Sequence, residues 1–592
     1  MDGNDYLALL QNHIDITCVP FSERGSRLLI FQYNDKNSLY VKLAERLTQL
    51  EPNIEAYLTR APFIQDLSLL DSAGKDLDFT VTSSPDRLTL HTLMGDFEFV
   101  FQDQYTIAIG FPDDVFCGFK FRVFPQFWQK TPNGGKFMSV RNLKYNTTGE
   151  IKHNQITPIE GGYEVQLQVE SGTDCTTTIG IYQNNYQELP LLPFSYIREA
   201  SAERWRNWFD KVPEVDPKYA KTYAYAWWVM ANNLISPQGN VSYEAMTPSK
   251  IGYVGLWLWD NAMHSLAYRH VDADLARNQI RAMLAHQLPN GMLPDVVYDE
   301  GVVYTIDHPI IGEVTKPPIL AWAALKLHET DPDVKFLSEI YVPLVRLNAW
   351  WFSMNDDDGD GLVQYNHPYS SGLDDSPLWD EGMPVESPDL NTYLYIQMIS
   401  LSQIAEALNM NAESAMWQRR ANALVSQMIK HFWDPEAGLF WTIKDHIPVK
   451  VMTPFNLFPL WTGQLPEDIK DRLLSHLLNP NTFWGKYKLP TVARNDPKYD
   501  PQTMWRGPVW ANINYFFIEA LNMNGEHVLA DELRDSTLEM IMTHNGIFEY
   551  YDAETGVPPQ RAVNIFGWTS AVFIDLAIQA SQKKRDKDEE SA

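Results

Sequence analysis

Cysteine is scarce in this chain of 592 residues. Cys18, Cys117 and Cys175 are the only three, far apart and without a metal-spaced pair, so neither a disulfide framework nor a cysteine metal site is expected. Basic residues are also in short supply: 47 Lys and Arg stand against 76 Asp and Glu, a net charge of -29. That field opposes nucleic acid and anionic lipid, which need clustered cations, and neither is expected as a partner. No stretch reaches about 18 uncharged apolar residues. Met1 to Val19 lacks a basic segment followed by a continuous apolar one. The expectation is therefore a soluble, cytoplasmic protein. Short repeats and low-complexity tracts are missing too, apart from the charged run Lys583 to Glu590, which is expected to fray.

What is present is 45% hydrophobic residues, enough for large cores. The length allows about three to five ordinary domains, or fewer if one is a large toroid. Tryptophan marks the main boundary, since of 19 Trp only Trp128 precedes Trp205. Before residue 195 apolar residues alternate in short runs: Leu88/Leu90, Phe97/Phe99/Phe101, Phe119/Phe121/Val123 and Tyr163/Val165/Leu167/Val169. Turn clusters such as Asp71-Ser72-Ala73-Gly74 and Glu160-Gly161-Gly162 separate them, as in an antiparallel sandwich.

After about residue 200 the period becomes helical, as in Leu337, Ile340, Leu344, Leu347 and Trp351, with Pro343 expected to kink that helix. Candidate helices lie near 216–235, 258–271, 273–287, 314–328, 334–353, 388–408, 411–433, 452–462, 465–478, 507–523, 526–543 and 566–581. Six helical hairpins in a ring would make an (α/α)6 barrel. The expected architecture is multidomain and mainly α: an antiparallel β-sandwich over 1–195, a linker and linker helix over 196–212, the barrel over 213–582 and a charged tail over 583–592.

Chemistry concentrates in Ser371-Gly372-Leu373-Asp374-Asp375-Ser376-Pro377-Leu378-Trp379-Asp380, where carboxylates, a glycine, a hydroxyl and an indole fall within one short stretch. Indole faces pack on pyranose rings, and fixed carboxylates bind hydroxyls and exchange protons with a glycosidic oxygen. The same residues build ordinary exposed turns, and alone the segment does not decide. Trp257-Leu258-Trp259-Asp260 continues to His264, which shares a helix face with Asp260; the reading is a sugar subsite or a capping Asp among core indoles. Trp505-Arg506-Gly507-Pro508-Val509-Trp510 repeats the recipe, with Arg506 free to fork onto a carboxylate or onto sugar hydroxyls. In Phe548-Glu549-Tyr550-Tyr551-Asp552-Ala553-Glu554, Glu549 is enclosed by apolar neighbours that could tune it, while Asp552 and Glu554 read as turn residues. Asp356, Asp358 and Asp360 alternate before Gly361 like the first half of a calcium loop. The twelfth position is His367 rather than Glu, so a structural calcium and a solvated turn both stay open.

Taken together, these segments with Asp389-Leu390-Asn391-Thr392-Tyr393 and Phe566-Gly567-Trp568-Thr569 resemble glycoside hydrolase family 63 and its relatives, the processing α-glucosidase and mannosylglycerate or glucosylglycerate hydrolase group. The likeness covers about residues 210–580. It implies an (α/α)6 barrel, hydrolysis of an α-linked glucoside or mannoside with inversion, Asp374 as general acid and Glu549 as general base. It also implies substrate contacts from Trp257, Trp259, Asp260, His264, Lys316, Gly372, Asp375, Asp389, Asn391, Trp505, Arg506, Trp510 and Trp568, with no cofactor required. The partner expected is a small oligosaccharide or glycoside; the oligomeric state stays open. Two residues depart from the pattern: Asp375 stands where Asn is common, and Lys316 where a neutral polar residue is usual. A trehalase-like or debranching α-glucosidase, a sugar epimerase on the same toroid and a carbohydrate-binding protein are the rival readings.

Overall fold

The computed structural model describes residues 1–46 and 54–591. They divide into two compact units. The first comprises Met1–Glu214, Trp227–Ser236 and Lys250–Val254, and the second Val215–Ala226, Pro237–Ser249 and everything from Gly255 onward.

The first unit holds two antiparallel sheets. One runs in the order Leu28–Gln32, Leu39–Leu43, Ile64–Leu70, Phe116–Val123, Gly162–Glu170, Glu150–Ile159. The other runs Thr80–Ser84, Arg87–Thr92, Gly95–Asp103, Thr106–Gly110, Thr176–Tyr182, Asn142–Thr147, Gly134–Met138, Phe127–Thr131. Alternation sends Phe97, Phe99 and Phe101 from one sheet and Phe119, Phe121, Val165 and Leu167 from the other into the interior. Phe121 meets Tyr145 of the opposite sheet edge to face at 6.0 Å, so the two inner faces form one core.

Helices also belong to this unit, among them Gly3–Leu10 and Phe194–Phe209. Gly3–Leu10 begins at Asp2, which accepts from the amides of Asn4 and Asp5 while Asp5 bonds back to the Asp2 amide. Phe194–Phe209, read from the sequence as a linker helix, belongs to this unit's core, with Phe194 and Ile197 packed on Val100 and Ala108. Gly110 makes room for it, since a β-carbon there would lie 2.3 Å from the Phe194 ring.

In the second unit Leu258–Tyr268, Leu320–Thr330, Pro388–Ala407, Pro454–Thr462, Ala511–Met523 and Gly567–Ser591 each pack on the next, and the last packs back on the first. Every residue of Leu258–Tyr268 is buried, the mark of a helix enclosed on all sides. Asn411–Phe432, packed on Pro388–Ala407, buries Trp417, Ala421, Leu424, Val425, Met428 and Phe432, a single stripe. Aromatic side chains tie the ring together: Trp322, Tyr393 and Phe516 all contact Trp461, the Trp461–Phe516 pair stacking at 4.9 Å.

Three local expectations are corrected. The span near 452–462 is a 3-10 helix rather than an α-helix, because Pro459 removes an amide and its ring blocks the i−4 carbonyl. The helix near 216–235 is a 3-10 turn, Pro217–Tyr219, running into Ala220–Asn232. The charged tail is helical: Gly567–Ser591 is continuous, with Gln582 donating to Asp586 and Lys584 pairing with Asp216 at 2.7 Å; Ala592 lies outside the described residues. Val334–Met354 runs as one helix through Pro343. Among the described residues no helix is long and apolar enough to cross a membrane.

Candidate active site

The segment that carries Asp374 is clasped at its base by two short strands, Gln364–Tyr365 and Val385–Glu386, paired antiparallel. Within the clasp a 3-10 turn, Pro368–Ser371, ends at Gly372 with φ +74°, the left-handed conformation that favours glycine. The chain is stiffened on both sides of the acid: the Leu373 amide donates to Ser371 Oγ, and the Trp379 indole donates to the Leu373 carbonyl at 2.7 Å.

The two adjacent acids diverge. Asp375 Oδ1 accepts from the Trp505 amide at 2.8 Å, and its carbonyl accepts from Arg506. Asp374 points elsewhere. It stays partly open to solvent, yet its Oδ1 is sealed off without a hydrogen-bond partner among the described residues. Removal from water pushes the Asp374 carboxyl up to about 7; Lys316 opposes the rise, and Asp295 and Asp375 add to it.

Behind Asp374 lies a charged cluster that sequence reasoning saw only in part. Lys316 is 4% exposed and its ammonium contacts Asp295 Oδ1 at 2.6 Å and the Tyr369 carbonyl at 2.5 Å. Burial works against the Lys316 charge, but the Asp295 carboxylate, joined by Asp374 when that ionises, outweighs it and holds the lysine cationic. Asp260, also buried, is raised well above the usual carboxylate range by desolvation, against the pull of Lys316. Asp295 was missed because a lone acid in Leu293-Pro294-Asp295 has no spacing signature; the one available signal was a buried Lys in need of a counter-charge.

Aromatic side chains run from Trp505, whose amide binds Asp375, to Tyr550, the residue after Glu549. Trp505 stacks on Trp510 at 3.7 Å, and Trp510 on Tyr550 at 4.8 Å. Trp259 and Trp568 meet edge to face at 5.1 Å and reach Trp505 and Trp510 respectively. Glu549 is 3% exposed and held by a short antiparallel pairing, its amide donating to the Val563 carbonyl and its Oε2 accepting from the Val563 amide at 3.4 Å. Burial first, then the charges of Glu549 and Asp375, raise the Tyr550 hydroxyl.

Several predicted contacts have other partners. Arg506 forks onto Asp380 at 2.8 and 2.9 Å, so its guanidinium ties the acid-bearing segment to its own. His264 is fully buried beside Gly567 and Met246, and desolvation lowers its pKa to about 3, leaving a neutral core imidazole. Asp389 accepts from Tyr365 and Ser387, and Asn391 bonds both the amide and the carbonyl of Val363, so both brace the clasp. Lys316 contacts Asp295 and the Tyr369 carbonyl. Trp257 is half-buried against Tyr298 at 5.7 Å. The Asp356, Asp358 and Asp360 carboxylates converge, but each accepts from amides of their own loop.

The sequence pattern of the mannosylglycerate hydrolase MGH1-like glycoside hydrolase domain matches residues 253–569, just over half of the chain and all of the segments above. A mannosylglycerate hydrolase of Thermus thermophilus is 26% identical over 395 residues, covering 54% of this chain and 93% of that one. The crystal structure of a GH63 mannosylglycerate hydrolase from another strain of that species, in complex with glucose, superposes with a TM-score of 0.52 at 23% identity, over 60% of this chain and 99% of that one. A bacterial glucoamylase complexed with acarbose shares the fold over 95% of this chain and 94% of its own, with a TM-score of 0.58 at 10% identity.

Proposed function

The chain belongs to the mannosylglycerate hydrolase MGH1-like glycoside hydrolase family, and on that footing we propose that this glycoside hydrolase cleaves an α-linked mannosyl or glucosyl glycerate with inversion. The ring of six packed inner elements is read as an (α/α)6 barrel, with the segments of Asp374, Trp505 and Glu549 gathered at one end. Asp374 protonates the glycosidic oxygen as the bond to the anomeric carbon breaks. Glu549 takes a proton from water attacking the opposite face, so the configuration inverts. Trp259, Trp505 and Trp568, each at most 3% exposed, form the apolar backing of the sugar site.

One observation carries this reading. Asp374 is half-buried, its enclosed Oδ1 has no hydrogen-bond partner among the described residues, and removal from water pushes its carboxyl up to about 7, as suits a general acid at neutral pH. Proton NMR of the reaction on mannosylglycerate and glucosylglycerate tests it. The β-anomer should appear first. Release of the α-anomer sinks the inverting assignment, no hydrolysis of either compound sinks the substrate class, and interconversion of sugars without hydrolysis favours an epimerase.

A further inference from the structure

Lys316 has two bonding partners on separate pieces of chain, and both bear on Asp374. Its ammonium contacts Asp295 Oδ1 at 2.6 Å and donates to the Tyr369 carbonyl at 2.5 Å. The preceding residue repeats the grip, the Thr315 amide donating to Ser370 Oγ at 3.3 Å. Tyr369 and Ser370 form the 3-10 turn that ends at Gly372, two residues before Asp374. Two consecutive residues thus hold two consecutive residues of the acid-bearing turn.

The cluster is unbalanced in charge. Asp260, Asp295 and Lys316 are each at most 4% exposed, and Asp374 is half-buried. One cation faces three carboxyl groups in surroundings where an uncompensated charge is costly. Asp295, in direct contact, is the carboxylate that Lys316 neutralises. Asp260 and Asp374 are left to carry protons.

We propose that Lys316 is the positioning residue of Asp374: it pins the acid-bearing turn through Tyr369 and sets a fixed buried cation beside the carboxylate that forms when Asp374 gives up its proton. The proposal rests on Asp374 being the general acid. In that step the anomeric carbon–oxygen bond breaks, its electron pair goes to the glycosidic oxygen, and that oxygen takes the Asp374 proton. Asp374 is left anionic next to Lys316. The lysine keeps its own proton throughout, so it acts through Asp374 and never on the substrate. The charged groups acting on Asp374 are Lys316, which favours its ionised form, and Asp295 and Asp375, which disfavour it; Asp260, raised well above the usual carboxylate range, carries a proton and adds no charge. The Lys316–Asp295 pair therefore sets how readily the acid lets go.

The test is the pH profile of kcat/KM for Lys316→Met and Asp295→Asn beside the unaltered enzyme, with mannosylglycerate as substrate and Asp374→Asn as control. Lys316→Met should lose activity at neutral pH by about a hundredfold, the scale of a general acid's contribution. Its basic limb should move to higher pH by about one unit or more, as expected on loss of a nearby opposite charge. Asp295→Asn should move the limb the other way. The carbonyl stretch of the protonated Asp374 carboxyl, read as the infrared difference between each protein and its Asp374→Asn counterpart, should titrate with the same two opposite shifts. A merely structural lysine would lower activity and leave the limb in place. If Asp374→Asn is inactive while both limbs stay put or move together, the role assigned to Lys316 is wrong. If Asp374→Asn is fully active, the identity of the acid is wrong and the proposal falls with it. Should Lys316→Met fail to fold, the Asp295→Asn limb and infrared titration still decide, a downward shift supporting the proposal and no shift overturning it.

Discussion

Gly372 and Trp259 approach so closely that a β-carbon on Gly372 would lie 2.4 Å from the indole. Gly372 also sits at φ +74°, which costs a side-chain-bearing residue about 1–3 kcal/mol. Gly372→Ala should therefore displace both the indole and the turn leading to Asp374. The expected outcome is a loss of kcat well beyond the loss of stability, with Tm falling by a few degrees, read by steady-state kinetics and calorimetry on one preparation. Unchanged kcat in a folded protein would detach the turn's geometry from catalysis.

Adjacent acids make the next prediction. Asp375 is tied to the Trp505 amide and helps keep Asp374 protonated, so Asp375→Asn, which keeps an acceptor oxygen and removes a charge, should retain turnover. Its basic limb should move to lower pH, because the neighbour that disfavours ionisation is gone. Asp374→Asn should lose activity on natural glycosides by about 10²–10⁴-fold and recover most on a substrate whose leaving group needs no proton. An active Asp374→Asn beside an inactive Asp375→Asn would place the acid one residue further along.

How far the chain could be read from its residues follows from what each feature depends on. The sandwich strands Phe97–Phe101 and Phe119–Val123 were legible because one buried face imposes a period of two, and Asn411–Phe432 because one buried stripe imposes a helical period. Pro454–Thr462 was placed but given the wrong helix type, since Pro459 acts on hydrogen bonding rather than on hydrophobic spacing. Asp374, Asp375 and Glu549 stood out because unusual residue types crowd together in short stretches. The partners that define their chemistry did not. Asp295 reaches Lys316 and Asp380 reaches Arg506 across long separations in sequence, and no local pattern encodes such contacts.

Glu549 offers a test that does not depend on Asp374. Replacing it with alanine removes the proposed base but leaves room near the Val563 amide, which now donates to its Oε2. Glu549→Ala should be about 10²–10⁴-fold slower with water as the nucleophile. Added azide, which needs no deprotonation, should restore turnover of an activated α-glycoside and give the β-glycosyl azide. An α-azide, identified by NMR, would assign retention instead.

The last prediction concerns stability. Asp575 is fully buried and bonded on both oxygens: Arg269 and His270 at 2.7 and 2.8 Å on Oδ1, Tyr515 and Gln579 at 2.7 Å on Oδ2. Burial alone would raise its pKa, but Arg269 and the hydrogen bonds from His270 and Tyr515 outweigh it and hold the carboxyl well below its ordinary value. A depressed carboxylate contributes stability that is present above the unfolded-state pKa of about 3.9 and is lost as pH falls through it toward the folded value. Asp575→Ala strands a buried arginine and should cost about 3–5 kcal/mol at neutral pH. The difference from the unaltered protein should be constant from about pH 7 to pH 5 and shrink below about pH 4, measured by urea unfolding at each pH. A gap that stays constant down to about pH 3 would mean that the ionised carboxylate contributes nothing specific and that packing alone sets the cost.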